Sequence, residues 1–279
     1  MKPLLKWVGG KRRLIPKIEH LFPKSFNNYY EPFVGGGAIF FHLKEDEALN
    51  PKVWNLNDKN TDLINCYKEV RLNTLKVYNK LLEIAAQNTK EEYYSVRNKF
   101  NDGRLLDPIV QAARFLYLSS KCFNGLIRYN KSGKFNTPIH AKGHEKRKIP
   151  CGINLMAYKV MLRNCHLTSV DWSQAIEDAS EGDFVVLDPP YYPISNTANF
   201  TSYTGDRFGV DEQEKLAKTM SVLADRGVMV MAFNNYLKET FNLYKKDPRN
   251  RIFRIKVKRY LRMDGRNAHK SYEMCVINY

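Results

Sequence analysis

Four consecutive residues, Asp188-Pro189-Pro190-Tyr191, carry the most specific chemistry that the sequence offers. They follow residues 183–187, a run with β-branched members that predicts a buried strand ending at the prolines. Ligands of open α/β sheets bind at such strand ends. The prolines restrict the backbone, so the Asp188 carboxylate and the Pro189 carbonyl can face one point as paired acceptors. With the Tyr191 ring, they suit a planar ring that bears an amino group; the alternative is a plain strand end.

A glycine-rich stretch earlier in the chain predicts a site for an adenosine-containing cofactor. Residues 29–34 predict an extended segment, the glycines at 35–37 a tight turn, and residues 38–43 a helix. A strand, a glycine turn and a helix open a nucleotide-binding βαβ unit. The candidate cofactor contacts in this stretch are Glu31, Phe33, Gly35 and Gly37.

Asp58 ends the next predicted strand, in a position suited to the sugar of such a cofactor. An acid about 20 residues past the glycines is where ribose hydroxyls bind. The alternative role is to cap the N-terminus of a helix over residues 61–67, and both roles can hold together.

Two shorter stretches add candidates for the same ligand. Trp7 precedes the tight turn Gly9-Gly10, after which Lys11 can pair with a carboxylate. Asp171 and Trp172 follow a short predicted strand, where an acid and an aromatic ring can hold an adenine by its amino group and its face.

These residues meet only if the elements around them form one α/β sheet with an insert. Strands and helices alternate up to residue 64 and again after residue 166. After the Asp188 motif we expect a helix over 212–224, a strand over 227–233 and a β-hairpin from 251–262 and 272–279. The segment between the two α/β parts predicts amphipathic helices over 78–86, 91–100 and 108–119. We therefore assign residues 1–64 and 167–279 to a catalytic domain and residues 65–166 to an inserted domain.

The second half of the insert predicts a hairpin that contacts nucleic acid. Residues 122–138 form two short arms around the turn 130–133, with aromatic, asparagine, arginine and lysine residues interleaved. Arg128 in one arm can donate two hydrogen bonds to a guanine, whereas lysines at the turn meet phosphates. The alternative is a solvated loop with a basic tail. The candidate DNA contacts of the hairpin are Phe123, Asn124, Leu126, Arg128, Lys131, Lys134, Asn136 and Pro138.

The composition agrees with a polyanionic partner. The 279 residues carry a formal net charge of +16, which favours nucleic acid. Five cysteines, odd in number and without metal spacing, predict reduced thiols, a cytoplasmic location and no metal site. No stretch approaches the length of an apolar membrane span.

Together these stretches resemble the Dam-type DNA adenine methyltransferases, whose order is cofactor motifs, target-recognition insert, then DPPY. The matching stretches cover nearly the whole chain: Lys6-Trp7 with Gly9-Gly10-Lys11, Glu31 to Gly37, Asn57-Asp58 with Asn60, Phe123 to Asn130, Phe135 to Pro138, Asp188 to Tyr191, and Thr197 to Tyr203. The chain departs from the family at residues 139–142, Ile-His-Ala-Lys, where the family usually has Phe-Gly and then a basic or aromatic residue.

The resemblance implies a Rossmann-like, seven-stranded methyltransferase sheet that uses S-adenosylmethionine, with a helical and β-hairpin DNA-recognition domain inserted. It implies that Trp7, Lys11, Asp58 and Asp188 contact the cofactor, and that Lys6 and the hairpin contact double-stranded DNA. The commonest target of this group is GATC, so we expect that site or a related one.

The residues also indicate how the transfer would proceed. Two acceptors, Asp188 and the Pro189 carbonyl, favour a tetrahedral N6 nitrogen as the methyl group arrives. The target base lies inside a duplex and must be flipped out, with Tyr191 as its stacking wall and Phe123 filling the gap.

Three rival functions compete with this one. A cytosine-N4 DNA methyltransferase uses the same acceptors, but more often has Ser for the first Asp of DPPY. An RNA or protein methyltransferase would not need the hairpin or this much positive charge. A non-catalytic DNA-binding module would explain the charge but not the glycines and DPPY. We expect a monomer. A further candidate partner is a restriction endonuclease that acts on the same DNA site without binding this protein.

Overall fold

The computed structural model describes residues 4–5, 7, 9–103, 107–141, 146–192, 208–260 and 268–279, and for 258–260 and 268–270 the backbone alone. Within these residues, seven strands form one sheet in the order β3-β2-β1-β4-β5-β7-β6. The first five strands are parallel, and β7 is antiparallel to both β5 and β6. The strands are β1 Tyr29–Glu31, β2 Trp54–Asn57, β3 Cys165–Thr168, β4 Phe184–Leu187, β5 Met229–Asn235, β6 Arg251–Tyr260 and β7 Ala268–Ile277.

Helices flank this sheet and fill the segment between β2 and β3. The α-helices of the described residues are α1 Ile15–Ile18, α2 Ala38–Lys44, α3 Thr61–Leu72, α4 Thr74–Ala85, α5 Lys90–Asp102, α6 Pro108–Lys121, α7 Gly152–Met161, α8 Val210–Asp225 and α9 Lys238–Lys245. None of them is long and apolar enough to cross a membrane.

The strand order reverses between β1 and β4, and this reversal places the two chemical motifs side by side. From β1 the chain moves outward through β2 and β3, then returns to add β4 on the other side of β1. Ligand sites of open α/β sheets lie at such a switch point, outside the carboxyl ends of the strands. The glycine turn follows β1 and the Asp188 motif follows β4, so both lie at this point.

Strand β4 is buried on both faces, as a central parallel strand requires. Phe184 and Val186 belong to one apolar cluster, and Val185 and Leu187 belong to the cluster on the opposite face. The first cluster also contains buried residues of α4, α5 and α6, so the helices of the insert pack into the same core as one face of the sheet.

Residues 122–138 form the predicted turn between two arms, which pair at isolated positions and not along a regular ladder. Its two arms meet at isolated bridges, Cys122 with Ile139 and Tyr129 with Phe135. Asn124 has φ of 53° and begins a bend that turns the first arm away from extended geometry. The predicted turn is confirmed, because the Gly133 N–H donates to the Asn130 carbonyl at 2.9 Å. The C-terminal hairpin is confirmed as β6 and β7, while its turn at 264–266 lies outside the described residues.

Candidate active site

A cavity of about 660 Å³ opens between the glycine turn and the Asp188 motif. It brings together every residue that the sequence predicted to contact the cofactor: Trp7, Lys11, Glu31, Phe33, Gly35, Gly37, Asp58, Asp171, Trp172 and Asp188. Pro189 and Tyr191, the other predicted catalytic residues, also line it. Segments far apart in sequence therefore converge on one site.

The ion pair between Lys11 and Asp188 joins the N-terminal segment to the DPPY motif. Lys11 Nζ lies 2.7 Å from Asp188 Oδ1 and donates to the Gly9 carbonyl at 2.9 Å. Burial raises the pKa of Asp188, and the Lys11 ammonium opposes that shift. The same ammonium lies 4.9 Å from the centre of the Tyr191 ring, so one cation holds both the acid and the ring.

The glycine turn brings bare backbone to the wall of the cavity. Gly35 and Gly37 have φ of +46° and +66°, values that disfavour residues with a side chain. A Cβ at Gly35 would stand 2.7 Å from Trp7 Nε1, and one at Gly37 would stand 2.9 Å from the Phe41 ring. The indole of Trp7 therefore packs against Gly35 only because this residue is a glycine.

Asp58 braces the glycine turn and does not cap the following helix. Its carboxylate accepts hydrogen bonds from the Gly35 N–H and the Asn60 N–H, each at 2.9 Å. The cap of α3 is Asn60, whose side chain accepts from the Leu63 N–H at 3.1 Å. The capping role considered for Asp58 was therefore wrong. Burial raises the pKa of Asp58 to about 6.

Three aromatic rings form part of the cavity wall. Phe33 and Trp172 stack with ring centres 5.9 Å apart, and Phe208 meets Phe33 edge-on at 5.7 Å. Trp172 Nε1 donates to Glu212 Oε2 at 2.9 Å. Asp171 is exposed at the rim. Phe208 and Glu212 line the cavity but were missed from sequence, although an acid in the first turn of α8 is a signal that could have drawn attention to Glu212.

The charge inside the cavity is opposite in sign to that of the whole chain. Among the described residues that line it, carboxylates outnumber cations; the former are Glu31, Asp58, Asp171, Asp188 and Glu212, and the latter are Lys11, Lys59 and Arg128. Glu31 is buried and accepts from the Tyr29 hydroxyl at 2.9 Å, and burial raises its pKa to about 8, so it is mostly neutral at pH 7. The other four carboxylates still outnumber the three cations. An acid-lined cavity in a chain of charge +16 suits a cationic ligand.

The predicted DNA contacts divide between the cavity and the hairpin surface. Leu126 and Arg128 line the cavity, and Arg128 Nε donates to Asn136 Oδ1 at 2.8 Å. Phe123 stacks on His140 with ring centres 5.7 Å apart. The remaining predicted contacts are exposed on the loop and do not line the cavity: Asn124, Lys131, Lys134 and Pro138. Lys6 lies outside the described residues.

The sheet and its cavity define the fold of an S-adenosylmethionine-dependent methyltransferase. The chain belongs to the family described as D12 class N6 adenine-specific DNA methyltransferase, which matches residues 7–263. It is therefore an adenine-specific DNA methyltransferase, and of the rivals neither the cytosine-N4 enzyme nor the non-catalytic module agrees with this family.

Comparison with individual proteins gives the same result over the full length. The chain is 34% identical to Type II methyltransferase M1.LlaDCHI of Lactococcus lactis subsp. cremoris, over 100% of this chain and 96% of that protein. It is 35% identical to Type II methyltransferase M.MjaIII of Methanocaldococcus jannaschii, over 100% and 99%. It is 31% identical to the DNA adenine methylase of Escherichia coli strain K12, over 99% and 95%.

Proposed function

We propose that this chain transfers a methyl group from S-adenosylmethionine to the N6 amine of an adenine flipped out of duplex DNA, within GATC or a related short site. The observation that carries the proposal is the Lys11–Asp188 ion pair, which lies in the cavity beside the glycine turn. It links the acceptor for the target amine directly to the cavity for the cofactor.

The residues of the cavity fit S-adenosylmethionine. The glycine turn offers backbone at close approach, and the excess of carboxylates suits a ligand with a sulfonium and an ammonium group better than a diphosphate. Asp58, Phe33 and Trp172 line the cavity; Asp58 would accept from ribose hydroxyls, and the two rings would contact the adenine face. The proposed cofactor contacts are Trp7, Lys11, Glu31, Phe33, Gly35, Gly37, Asp58, Asp171, Trp172 and Asp188.

The chemistry depends on positioned acceptors more than on acid–base catalysis. The N6 lone pair is delocalised into the adenine ring, so the amine is a poor nucleophile. Asp188 and the Pro189 carbonyl would accept hydrogen bonds from the two N–H groups of the amine. They would stabilise the positive charge that develops on nitrogen as the N–C bond forms. Lys11 favours the charged form of Asp188 that this role requires. When bound, the cofactor would supply a methyl group activated by a sulfonium. The amine would bond to that carbon in line as the C–S bond breaks, with the thioether as the leaving group and one N6 proton lost.

Tyr191 is the proposed wall against which the flipped base stacks. Its hydroxyl donates to Glu273 Oε2 at 2.9 Å, so the ring is anchored at its tip. Sequence reasoning missed Glu273, because it lies on β7 and no local pattern connects it to the motif. An anchored ring can hold a base in plane at little entropic cost.

The insert at residues 65–166 is the proposed DNA-recognition domain. Arg128 would read a guanine, Lys131 and Lys134 would meet phosphates, and Phe123 would fill the gap left by the flipped base. The other proposed DNA contacts are Lys6, Asn124, Leu126, Asn136 and Pro138.

The proposal extends to a role in restriction-modification and to the oligomeric state. Two of its relatives are named Type II methyltransferases, which favours protection of a site that a restriction endonuclease cuts, without binding between the two proteins. The proposal also takes the enzyme to act as a monomer.

Methylation-sensitive sequencing of DNA treated with the purified protein and S-adenosylmethionine tests the base and the site together. We expect N6-methyladenine within GATC or a site that differs from it at an outer base pair. Methylation of cytosine, or adenine methylation without a sequence preference, would contradict the proposal. A reaction without S-adenosylmethionine is the control.

A further inference from the structure

Two fully buried amide side chains lie directly behind the DPPY motif. Gln213 belongs to α8 and Asn234 to β5, and the solvent exposure of each is 0%. The same face of α8 buries Leu216 and Met220, so the surroundings are apolar. A buried amide costs free energy unless it is hydrogen-bonded, whereas an aliphatic side chain would satisfy packing alone. Packing in the core therefore does not explain why these two positions carry amides.

The amides form a hydrogen-bonded relay that joins the residues on either side of Tyr191. Gln213 Nε2 donates to the Pro190 carbonyl at 2.8 Å, and Gln213 Oε1 accepts from Asn234 Nδ2 at 2.7 Å. Asn234 Oδ1 in turn accepts from the Tyr192 N–H at 3.2 Å. A carbonyl only accepts and a backbone N–H only donates, so the orientation of both amides is fixed from the two ends.

Further contacts hold the same three residues. Asn235 Nδ2 donates to the Tyr192 carbonyl at 2.6 Å, and the Tyr191 hydroxyl donates to Glu273 at 2.9 Å. The backbone is thus held before and after Tyr191, and the ring is held at its tip.

We propose that Gln213 and Asn234 are positioning residues for methyl transfer, which rests on the function proposed above. Through the relay they fix the backbone from Pro190 to Tyr192, and with it the ring of Tyr191 relative to the acceptors at Asp188 and Pro189. A misplacement of about 1 Å in a reacting assembly can cost about a hundredfold in rate. Neither amide lines the cofactor cavity, so the effect falls on the transfer step and not on cofactor binding.

Gln213→Glu is the sharpest test, because it keeps the shape and replaces only the donor. An ionised carboxylate cannot donate to the Pro190 carbonyl, so the relay breaks at one end, whereas a protonated carboxyl can still donate. Burial favours the protonated form, so the rate is measured at pH 9 as well as at pH 7. With cofactor and DNA both saturating, we expect the single-turnover rate to fall about ten- to a hundredfold. The dissociation constants of cofactor and DNA should stay within about threefold of the wild type. A wild-type rate, or a loss confined to cofactor affinity, would overturn the proposal.

A second pair of variants keeps the proposal testable if the glutamate variant fails to fold. Gln213→Met and Asn234→Leu replace each amide with an apolar group of similar size. Because both amides act through one relay, the double variant should lose about as much rate as either single variant. Rate losses that multiply would show that the two residues act separately, which contradicts a relay.

Gln111→Glu is the matched control for a buried glutamine in a purely structural setting. Gln111 on α6 is 3% exposed, donates to the Phe100 carbonyl at 3.0 Å and accepts from Arg114 at 3.0 Å. We expect this variant to lower the melting temperature without changing the single-turnover rate of the folded protein. The relay is tested by the ratio of variant to wild-type rate, which can be measured whichever base the enzyme methylates. The proposed function is tested separately, by identifying the base that the wild-type enzyme methylates.

Discussion

At Asp188, burial and an adjacent cation act on one carboxyl group in opposite directions. Burial raises its pKa, and the Lys11 ammonium at 2.7 Å lowers it. Asp188→Ala removes the acceptor while the basic surface remains, so methyl transfer should fall about a hundred- to a thousandfold while DNA binding persists. The measurements are single-turnover methylation and DNA affinity. The control is Asp225→Ala, which changes an exposed acid paired with Arg249 and should keep the wild-type rate. If Asp188→Ala kept the wild-type turnover, Asp188 would have no role in the mechanism.

Asp58 should make cofactor affinity depend on pH near neutrality. Its pKa is raised to about 6, so it is protonated below that pH and accepts ribose hydroxyls less well. Affinity for S-adenosylmethionine should therefore rise as the pH increases from 5 to 7. Asp58→Ala should weaken binding by roughly 1–3 kcal/mol and flatten this dependence. Calorimetric titrations at pH 5, 6 and 7 measure both effects.

Glu31 also lines the cavity, but its pKa is raised to about 8, so it titrates above the pH range in which Asp58 does. A folded Asp58→Ala protein with unchanged affinity would mean that Asp58 only braces the turn through the Gly35 N–H.

At the scale of elements, the hairpin presents two classes of basic side chain. Arg128 lines the cavity with Nε held by Asn136, whereas Lys131 is exposed at the turn. Arg128→Ala should relax specificity at one base pair by about 1–3 kcal/mol and raise methylation of near-cognate sites relative to the cognate one. Lys131→Ala should weaken binding evenly across sequences and lower the salt slope by about one unit.

Methylation rates on duplexes that each differ at one base pair distinguish the two classes, and each variant is the control for the other. If Arg128→Ala lowers every rate by the same factor, Arg128 is a phosphate clamp. Base recognition would then lie elsewhere, with Lys6 and residues 139–142 as the next candidates.

The elements that the sequence predicted well are those whose signal is local. Strand β4 and helices α4 to α6 were predicted from hydrophobic periodicity, and the glycine turn from its composition. Capping of α3 was only an alternative role for Asp58, and the cap is Asn60; both residue types cap helices well, and only the backbone decides between them.

What the sequence could not predict depends on contacts between distant elements. The relay joins Gln213 to Asn234, 21 positions apart, and Tyr191 meets Glu273 across 82 positions. These residues look like ordinary helix and strand positions until the sheet places them behind the motif. The bend in the first arm was missed as well, although Asn124 precedes Gly125 and asparagine is enriched at positive φ.

At the scale of the whole molecule, charge is divided between an acidic cavity and a basic remainder. The net charge of +16 attracts the polyanion, while the excess of carboxylates in the cavity favours a cationic cofactor. The two ligands therefore meet opposite potentials on one chain. Binding of DNA releases counterions from the duplex, so it depends strongly on salt. Salt screens the charge interactions of a small ligand in a partly enclosed cavity far less.

Salt should therefore separate the two binding reactions. If the basic surface neutralises about six phosphates, the logarithm of DNA affinity should fall against the logarithm of salt concentration with a slope of about −5. Cofactor affinity should change less than about twofold between 50 and 200 mM salt. Fluorescence anisotropy of a labelled duplex and calorimetry of S-adenosylmethionine over the same salt series measure the two. A DNA slope of only about −1, or parallel slopes for both ligands, would show that the net charge does not drive DNA binding.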